Sequence, residues 1–410
     1  MRKLTVTILA ATLAAGGCAG ANPPLERSDP PMARAARPAA SFAEWRSDFR
    51  AYALSRGIRP EVFDAAFQGV SENAEVVSLD GRQAEFTKPI WDYLDSAASS
   101  ARVDGGRAQR ARRAATLSAI ESRYGVDPDI VLAIWGMETN YGANRGSIRV
   151  IESLATLAYE GRRRDWAEEQ LLAALRILQA GDVDPAHLRG SWAGAMGHTQ
   201  FMPTSWLTYA VDFTGDGRRD IWSDDPTDSL ASAANYLARS GWTRGQPWGL
   251  EVRLPEGFNY GSADQANLRP SAEWRARGVT LRNGQALPDH GPAAILLPAG
   301  ATGPAFAVYG NFFVIKKYNN ATSYALGVGH LGDRIGGGGP IAAPWPRSER
   351  ELSRTEKIEL QKLLIARGFD TGTTDGVIGP NTISAIRAFQ AREGLTPDGF
   401  ATASLLVRLR

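Results

Sequence analysis

Three features are scarce in this 410-residue sequence, and each scarcity excludes a class of protein or of bond. Cys18 is the only cysteine, so no intrachain disulfide can form. The formal net charge is only +2, and Arg2 and Lys3 alone supply that excess over otherwise balanced acidic and basic side chains. Bulk charge therefore gives no reason to predict nucleic-acid binding. The apolar run Leu4 to Ala15 is too short to span a membrane as a helix.

The first residues have the pattern of an export signal. A basic start and the apolar run precede Ala15-Gly16-Gly17, so residues 1–17 are predicted to be a signal peptide. Ala-Gly-Gly-Cys resembles the lipobox of bacterial lipoproteins, with Ala15 where Leu is usual. This resemblance implies a lipid anchor on Cys18, and plain secretion with an incidental cysteine is the alternative. Residues 18–40, rich in Pro, Ala and Arg, are predicted to be a flexible tether.

Most of the following chain has the pattern of amphipathic helices. Ser41 with Glu44 three residues later is typical of a capping box at a helix start. Two further helices are predicted over residues 83–101 and 108–124, with their aromatic residues in the core. The predicted fold class is therefore mainly α.

Composition divides the chain into domains. Residues 244–306 are rich in Gly and Pro and hold short apolar runs, which predicts a small β-rich insert within a domain of residues 41–335. Residues 336–347 are predicted to be a linker because they are nearly all Gly, Pro and Ala. Residues 348–410 are predicted to form a separate small helical domain. That unit contains no catalytic set of residues, so it is a binding module or a structural appendage.

A short helix that carries a glutamate is predicted between Asp127 and Gly142. Asp127 is a suitable N-cap, and Gly142 can adopt the left-handed conformation that ends many helices. Ile130 and Ile134 are four residues apart, and Glu138 is the next position on that apolar face. Desolvation and the negative helix end both favour a protonated carboxyl, as a general acid requires near neutral pH. A partly buried Glu paired with a core Arg is the alternative.

A glycine-rich stretch, residues 189–205, interrupts the helical pattern. Its many glycines make a poor helix, while polar side chains are spaced among its small residues. Such a stretch suits close approach of the backbone to a ligand or to a neighbouring element. Composition leaves a ligand site and a structural turn as open alternatives.

The stretch from residue 212 to residue 228, the acidic loop, resembles the start of an EF-hand calcium loop. Oxygen atoms at alternate positions suit a hard cation, here from Asp212, Thr214, Asp216 and the Arg218 carbonyl. The distal Glu of the usual twelve-residue loop is missing, so Asp224, Asp225 or Asp228 would have to close the site. A solvated turn that binds nothing is the alternative.

Three separated motifs together resemble one enzyme family. Their order and spacing are similar to those of the family B membrane-bound lytic murein transglycosylases: Gly136–Gly142, Gly190–Pro203 and Lys317–Ala325. The C-terminal unit, with Asp375-Gly-Val-Ile-Gly379 and Ala388-Phe-Gln390, resembles the helical peptidoglycan-binding domain often attached to such enzymes. The resemblance covers residues 42–408. It implies a lysozyme-like α-helical core, a helical N-terminal part, a small β-rich insert and a separate C-terminal domain.

The resemblance also implies a reaction. The substrate is the peptidoglycan glycan strand, cut between N-acetylmuramic acid and N-acetylglucosamine to leave a 1,6-anhydromuramoyl end without net hydrolysis. Glu138 matches the family's single catalytic acid and base. Ordinary glycosidases use two carboxylates, and the other matching active-site motifs contain none. One carboxyl suffices if the muramoyl N-acetyl group stabilises the oxocarbenium-like centre and the sugar's own C6 hydroxyl attacks.

Further site residues follow by motif match. Ser191 and Gln200 are implied to hydrogen-bond the sugar or the glutamate, and Tyr236, Tyr318 and Asn319 are implied to line the groove. A buried tyrosine or a capped turn is the alternative for these positions. The family's loop also implies one structural calcium ion, and no cofactor is implied for the chemistry. The calcium ligands would be Asp212, Thr214, Asp216, Arg218 and Asp228.

Two departures from the family pattern carry specific expectations. The acidic loop is about two residues longer than the family's loop, which affects the closing ligand, taken here as Asp228. His198 stands where the family usually has Tyr or Phe, and it is expected to change one contact at the groove wall.

Two rival functions remain at this point. A hydrolytic muramidase would use water and produce reducing ends, whereas a non-catalytic scaffold would only bind the cell wall. The expected partner is peptidoglycan, without nucleic acid, and the expected state is a monomer. The expected location is the periplasm, with tethering to the outer membrane through Cys18.

Overall fold

The structure of the protein is a computed structural model that describes residues 40–82 and 89–410. The predicted signal peptide, the Cys18 anchor and residues 19–39 of the predicted tether lie outside the described residues, as do residues 83–88 of a predicted helix. In the described part of the chain, no helix is both long and apolar enough to cross a membrane.

Helices dominate the described chain, which confirms the predicted mainly α fold. Ser41 caps the first helix by accepting a hydrogen bond from the Glu44 backbone N–H. The N-terminal part contains α1 (Phe42–Ser55), α2 (Pro60–Ala66), α3 (Ala74–Arg82), α4 (Ile90–Ala97), α5 (Ser100–Arg112) and α6 (Ala114–Tyr124).

The two long helices predicted in this part were wrong in their bounds. The chain leaves the helical conformation at Ala98, between α4 and α5, and again at Arg113, between α5 and α6. Neither break has a Gly, a Pro or a side-chain cap at these two residues. Tertiary packing therefore divides segments whose amphipathic pattern is continuous.

The central helix of the domain is α7 (Pro128–Thr139), which has neighbours on several sides. Residues 130–136 are all buried, and α7 packs against α5, α6, α11 and α14. A helix that is apolar all round is suited to such an internal position. The elements that follow it are β1 (Ile148–Arg149), α8 (Val150–Glu160), α9 (Arg164–Ala180), β2 (Arg189–Gly190), α10 (Pro203–Tyr209) and α11 (Thr227–Arg239).

The predicted β-rich insert is a five-stranded antiparallel sheet with strand order β4-β6-β7-β3-β5. Ala307 in its middle pairs with Leu250 on one side and Ile295 on the other. The sheet has its own core, which includes Trp274 and Tyr309. Its elements are β3 (Gly249–Arg253), β4 (Arg269–Pro270), α12 (Ser271–Ala276), β5 (Thr280–Leu281), β6 (Pro292–Leu296) and β7 (Ala305–Val308).

After the insert the chain returns to the helical core with α13 (Gly310–Tyr318) and α14 (Thr322–Ile335). The segment predicted as a linker, residues 336–347, has no helix or strand but is attached to the domain. Glu251 accepts hydrogen bonds from the Ala342 and Ala343 backbone N–H groups at 2.8 and 2.7 Å. Farther along, Arg347 pairs with Asp95 at 2.8 Å.

The C-terminal unit has its own small core, formed by Leu360, Phe389, Leu406 and their neighbours. Its helices are α15 (Arg354–Ala366), α16 (Pro380–Arg392) and α17 (Ala403–Leu409), the last of which the sequence patterns did not predict.

This C-terminal unit also contacts the insert directly. Asp398 accepts a hydrogen bond from the Ala301 N–H at 2.8 Å, and Arg387 donates to the Ala263 carbonyl at 3.0 Å. Gly300 has φ +66°, and a Cβ there would lie 2.5 Å from the Asp398 carboxylate. A glycine is therefore required at this contact.

Candidate active site

The local fold places Glu138 near the end of α7. Asp127 caps the helix start by accepting from the Asp129 N–H at 2.8 Å, as predicted. The helix ends at Thr139 rather than at Gly142, because Asn140, Tyr141 and Gly142 have φ of 50°, 59° and 88°.

This left-handed turn after Glu138 is held from outside. The Tyr141 hydroxyl donates to the Arg102 carbonyl at 2.7 Å, and the Gly142 N–H donates to Thr139 Oγ1 at 3.0 Å. Non-glycine residues in such conformations cost about 1–3 kcal/mol each, so they persist only where surrounding contacts fix them. The backbone beside Glu138 is thus fixed in a conformation that lowers the stability of the fold.

The Glu138 carboxyl has one hydrogen-bond donor among the described residues. The Tyr324 hydroxyl donates to Glu138 Oε1 at 2.5 Å. Burial raises the pKa of Glu138 to about 7, although the hydrogen bond from Tyr324 acts in the opposite direction. The carboxyl is therefore substantially protonated at neutral pH, which is the state that a general acid needs.

Tyr324 is a site residue that the sequence reasoning did not single out. It lies inside the Lys317–Ala325 motif, so the motif was the available signal. Burial and then the Glu138 charge raise the pKa values of Tyr318, in the same motif, and of Tyr93. Both tyrosines therefore lie close enough to Glu138 to interact with its charge.

A second carboxyl beside Glu138 is missing from the part of the chain that the structure describes. Burial and the Tyr324 hydrogen bond are the two causes that set the Glu138 pKa, and no Asp or Glu is among them. A retaining glycosidase places its two carboxyl groups roughly 5 Å apart, close enough to perturb each other. Among the described residues, Glu138 is therefore a carboxyl that no second carboxyl perturbs.

The aromatic residues predicted to line the groove form a cluster. The Tyr236 and Tyr318 ring centroids are 4.9 Å apart, and Phe201 lies about equally near both, at 6.1 and 5.9 Å. The Tyr318 hydroxyl donates to the Thr199 carbonyl at 2.6 Å, and the Tyr236 hydroxyl donates to the Lys317 carbonyl at 2.5 Å. Both hydroxyl protons are used within the protein, which fixes the two rings.

The other predicted binding residues keep specific groups free for a ligand. Ser191 Oγ accepts from the Ala195 N–H at 3.0 Å, which leaves its own proton to donate. The Gln200 amide NH₂ donates to the Gly197 carbonyl at 2.9 Å, and its oxygen has no partner in the described chain. Asn319 is exposed, and its side-chain oxygen accepts from the Ala321 N–H at 3.1 Å.

His198 is not at the groove wall, so that expectation was wrong. The residue is 3% exposed and is hydrogen-bonded to Trp135 and Thr139 of α7. The Trp135 indole N–H donates to His198 Nδ1 at 3.1 Å, and His198 Nε2 lies 2.7 Å from the Ser223 carbonyl oxygen. An imidazole with two polar partners can be buried where a polar group without partners could not.

The acidic loop brings three of the predicted calcium ligands together. Carboxylate oxygens of Asp212, Asp216 and Asp228 lie within 4.8 Å of one another. Asp228, predicted to close the site, is one of these three residues, so the extra loop length does not remove it from the cluster. Oxygen atoms of this type and number suit calcium.

The predicted ligands also hydrogen-bond within the loop. Asp212 accepts from the Gly215 and Gly217 N–H groups at 2.6 and 2.8 Å, and Thr214 Oγ1 donates to it at 3.3 Å. The Arg218 N–H donates to Asp216 at 2.9 Å. The donor set thus fits a calcium ion, with the carboxylates already oriented by the backbone.

Comparison with known proteins gives the family. Residues 41–333 match the model of the transglycosylase SLT domain, which covers more than half of the chain. The chain belongs to the SLT transglycosylase family. Residues 353–409 of this transglycosylase match the model of a putative peptidoglycan binding domain. Both family predictions made from the sequence motifs are thereby confirmed.

Named relatives agree with this assignment. Membrane-bound lytic murein transglycosylase B of Escherichia coli K12 is 37% identical over 220 residues, which is 52% of this chain and only 58% of that relative's length. SltB3 of Pseudomonas aeruginosa, solved in complex with NAG-anhNAM-pentapeptide, is 54% identical, with a TM-score of 0.88 over 90% of this chain and all of that chain. Escherichia coli Slt35 in complex with calcium is 29% identical, with a TM-score of 0.62 over 71% of this chain and 92% of that one.

Proposed function

We propose that the protein is a lytic transglycosylase that cleaves the β-1,4 bond between N-acetylmuramic acid and N-acetylglucosamine in peptidoglycan. The observation that carries the proposal is Glu138, a carboxyl protonated near neutral pH with no second described carboxyl to perturb it. The 54% identical SltB3, solved with a NAG-anhNAM-pentapeptide, supports the same product class for this chain.

Glu138 acts first as an acid. Tyr324 donates to Oε1, so the carboxyl proton resides on Oε2 and faces the substrate. Oε2 gives this proton to the glycosidic oxygen while the bond from that oxygen to muramoyl C1 breaks. The positive charge that develops at C1 is stabilised by the neighbouring N-acetyl group of the same sugar.

Glu138 then acts as a base. The C6 hydroxyl oxygen of the muramoyl residue bonds to C1, and its proton passes to the Glu138 carboxylate, which restores the starting acid. No water is consumed, and the product carries a 1,6-anhydro ring. Because the nucleophile belongs to the substrate, the second carboxylate of ordinary glycosidases is unnecessary.

The remaining site residues bind and orient the strand. The Ser191 hydroxyl donates to the sugar, and the free Gln200 amide oxygen accepts from it. Tyr236 and Tyr318 present fixed ring faces to the sugar rings, and Asn319 contributes its exposed amide at the rim.

One calcium ion stabilises the acidic loop in this proposal. Its ligands are the carboxylates of Asp212, Asp216 and Asp228, together with the Thr214 hydroxyl and the Arg218 carbonyl. The three converging carboxylates and the calcium complex of Slt35 support this assignment. The ion supplies charge neutralisation in the loop and takes no part in bond breaking.

The cellular setting follows from the two ends of the chain. The C-terminal module, residues 348–410, binds peptidoglycan, as its family match supports. Export through residues 1–17 and a lipid on Cys18 place the enzyme in the periplasm, tethered to the outer membrane as a monomer. The 37% identical relative is membrane-bound, which supports the tethering.

Product analysis tests the function and both rivals. Purified sacculi are digested with wild type and Glu138→Gln, with and without a calcium chelator, and the products are weighed by mass spectrometry. Anhydro-ended products that lack one water are expected from wild type only. Reducing ends would instead identify a hydrolytic muramidase. Equal cell-wall phenotypes of the two proteins, without any cleavage, would identify a scaffold.

A further inference from the structure

We propose that His198 is a positioning residue, which transmits the position of the acidic loop to the helix that carries Glu138. Its kinetic consequence rests on the proposed function, whereas its structural part rests on hydrogen bonds of one buried imidazole. His198 makes no hydrogen bond to Glu138 or to the predicted calcium ligands in the described part of the chain, so its effect is indirect.

On one side, His198 is bonded to α7 at two points. The Trp135 indole donates to His198 Nδ1 at 3.1 Å, and Thr139 Oγ1 donates to the His198 carbonyl at 2.7 Å. Trp135 lies three residues before Glu138, and Thr139 lies one residue after it. The helix is thus held on both sides of the proposed catalytic carboxyl.

The turn that follows Glu138 also rests on this imidazole. A Cβ at Gly142 would lie 2.6 Å from two atoms of the His198 ring. The ring therefore packs directly against the left-handed residues that end the helix. A change in the position of His198 would displace this turn as well as α7.

On the other side, His198 is bonded to the acidic loop. An indole N–H can only donate and a carbonyl oxygen can only accept, so the Trp135 and Ser223 contacts together assign the proton to Nε2, against a longer contact of 3.3 Å between Nε2 and the Arg145 guanidinium. Nε2–H then donates to the Ser223 carbonyl at 2.7 Å. The His198 backbone N–H donates to the Ile221 carbonyl at 3.1 Å, which gives a second bond to the same loop.

Hydrogen bonds continue from this contact to a predicted calcium ligand. The Asp220 carboxylate accepts from the Trp222 and Ser223 N–H groups at 2.8 and 3.1 Å. The Asp220 N–H in turn donates to Asp228 Oδ2 at 3.1 Å. A connected path of short-range bonds thus runs from Asp228 through Asp220, Ser223 and His198 to Trp135.

The imidazole must stay neutral for this path to exist. A proton on Nδ1 would face the Trp135 indole N–H, donor against donor. The charged groups around the ring are Arg145, Arg113 and Asp224; burial first, and then the two arginines, lower the His198 pKa. Arg145 itself donates to the Trp222 and Ser223 carbonyls at 2.7 Å, so it fixes the loop segment that His198 contacts.

An ordinary core histidine would be replaceable by an apolar ring. Phe fills similar space but would leave the Trp135 N–H without its acceptor and would remove the imidazole donor from the Ser223 carbonyl, which would keep only the Arg145 donor. Gln keeps one acceptor and one donor and carries no charge. The pair His198→Phe and His198→Gln therefore separates the hydrogen bonds from the shape of the side chain.

The experiment compares both variants as full-length protein on purified sacculi. For His198→Phe we expect kcat to fall about tenfold with KM nearly unchanged. A 1 Å misplacement of a catalytic group can cost about a hundredfold, and we expect Glu138 to move by less than that. The pH at which kcat declines should also change, because the Glu138 carboxyl moves relative to Tyr324. His198→Gln should recover kcat to within about threefold of wild type. The Trp135 indole N–H resonance, assigned with Trp135→Phe, should move in His198→Phe and be largely retained in His198→Gln.

Two results would overturn the proposal. One is a His198→Phe protein with wild-type kcat and pH profile although the Trp135 resonance has moved. The other is equal loss of kcat in both variants, because restoring one donor and one acceptor with Gln would then recover nothing. If His198→Phe fails to fold, His198→Gln and Trp135→Phe supply the same test through their kcat values and pH profiles. Absence of anhydro products from wild type would refute the proposed function, while the indole resonance would still report on the His198 bonds.

Discussion

Glu138 and Asp212 of the acidic loop have pKa values that are shifted in opposite directions. Glu138 lies in a largely uncharged surrounding and receives one described donor, and burial raises its pKa to about 7. At Asp212 desolvation is the largest single cause and acts to raise the pKa, but hydrogen bonds from the Gly217, Gly215 and Asp216 N–H groups together hold the pKa below its usual range. The balance between desolvation and hydrogen-bond donors thus sets each carboxyl, since three backbone N–H groups donate to Asp228 and desolvation still raises its pKa.

The largest effect is expected from removing the proton-donating carboxyl of Glu138. Glu138→Gln should lower kcat on sacculi at least a thousandfold, since the substituted amide can neither give nor take a proton and general acid–base catalysis contributes about 10²–10⁴-fold. Release of anhydro-ended products, followed by mass spectrometry, checks the rate. Binding of the variant to sacculi serves as the control and should be unchanged. Residual activity above a tenth of wild type would remove Glu138 from its proposed role.

The same substitution should have a pH-dependent effect on stability. Folding raises the Glu138 pKa from 4.5 to about 7. Between these pH values the folded protein keeps the proton while the unfolded chain loses it, so the free energy of unfolding of wild type falls as the pH rises through this range. Glu138→Gln should match wild type at pH 4 and exceed its free energy of unfolding by up to about 3 kcal/mol at pH 8. Urea unfolding at both pH values measures the difference. A difference that is largest at pH 4 would contradict the assigned pKa direction.

A substitution at Asp228 tests the carboxylates of the acidic loop. In Asp228→Asn an NH₂ group must face either the Asp220 N–H or the Phe213 and Thr214 N–H groups that now donate to the carboxylate. We expect a loss of about 1–3 kcal/mol in stability. Calcium should raise the melting temperature of wild type but not of this variant. An equal calcium-dependent increase in both proteins would place the ion elsewhere.

A smaller effect sharpens the comparison at Tyr324. Tyr324→Phe removes the donor that favours the ionised carboxyl, so the Glu138 pKa should rise and the alkaline decline of kcat/KM should move to higher pH. The rate at the optimum should fall about tenfold because Glu138 Oε1 loses its anchor. The pH profile of wild type and variant on the same substrate measures both changes. A shift of the decline to lower pH would contradict this account.

Local patterns predicted those parts of the site that are built from neighbouring residues. The Asp127 cap and the four-residue spacing from Ile130 through Ile134 to Glu138 are local, and they placed the carboxyl correctly on α7. The oxygen spacing of the acidic loop likewise predicted Asp212 and Asp216 but left Asp224, Asp225 or Asp228 to close the site, and it is Asp228 that lies with the other two.

Contacts between distant segments could not be read in this way. Tyr324 lies 186 positions from Glu138, and nothing in either local pattern specifies their hydrogen bond. His198 was expected at the groove wall but is buried, because a motif match gives a position in the chain but not the direction of a side chain. The break at Arg113 has the same origin, since packing ends a helix that amphipathic periodicity would continue.

The hydrogen bonds that the Ala342 and Ala343 N–H groups donate to Glu251 restrict the distance between the C-terminal module and the groove. A free chain of glycine and proline would let the C-terminal module sample many distances from the groove, with an effective concentration set by polymer statistics. An anchored segment replaces that distribution with one separation. A glycan strand held by the module would then lie at a constant distance from the groove.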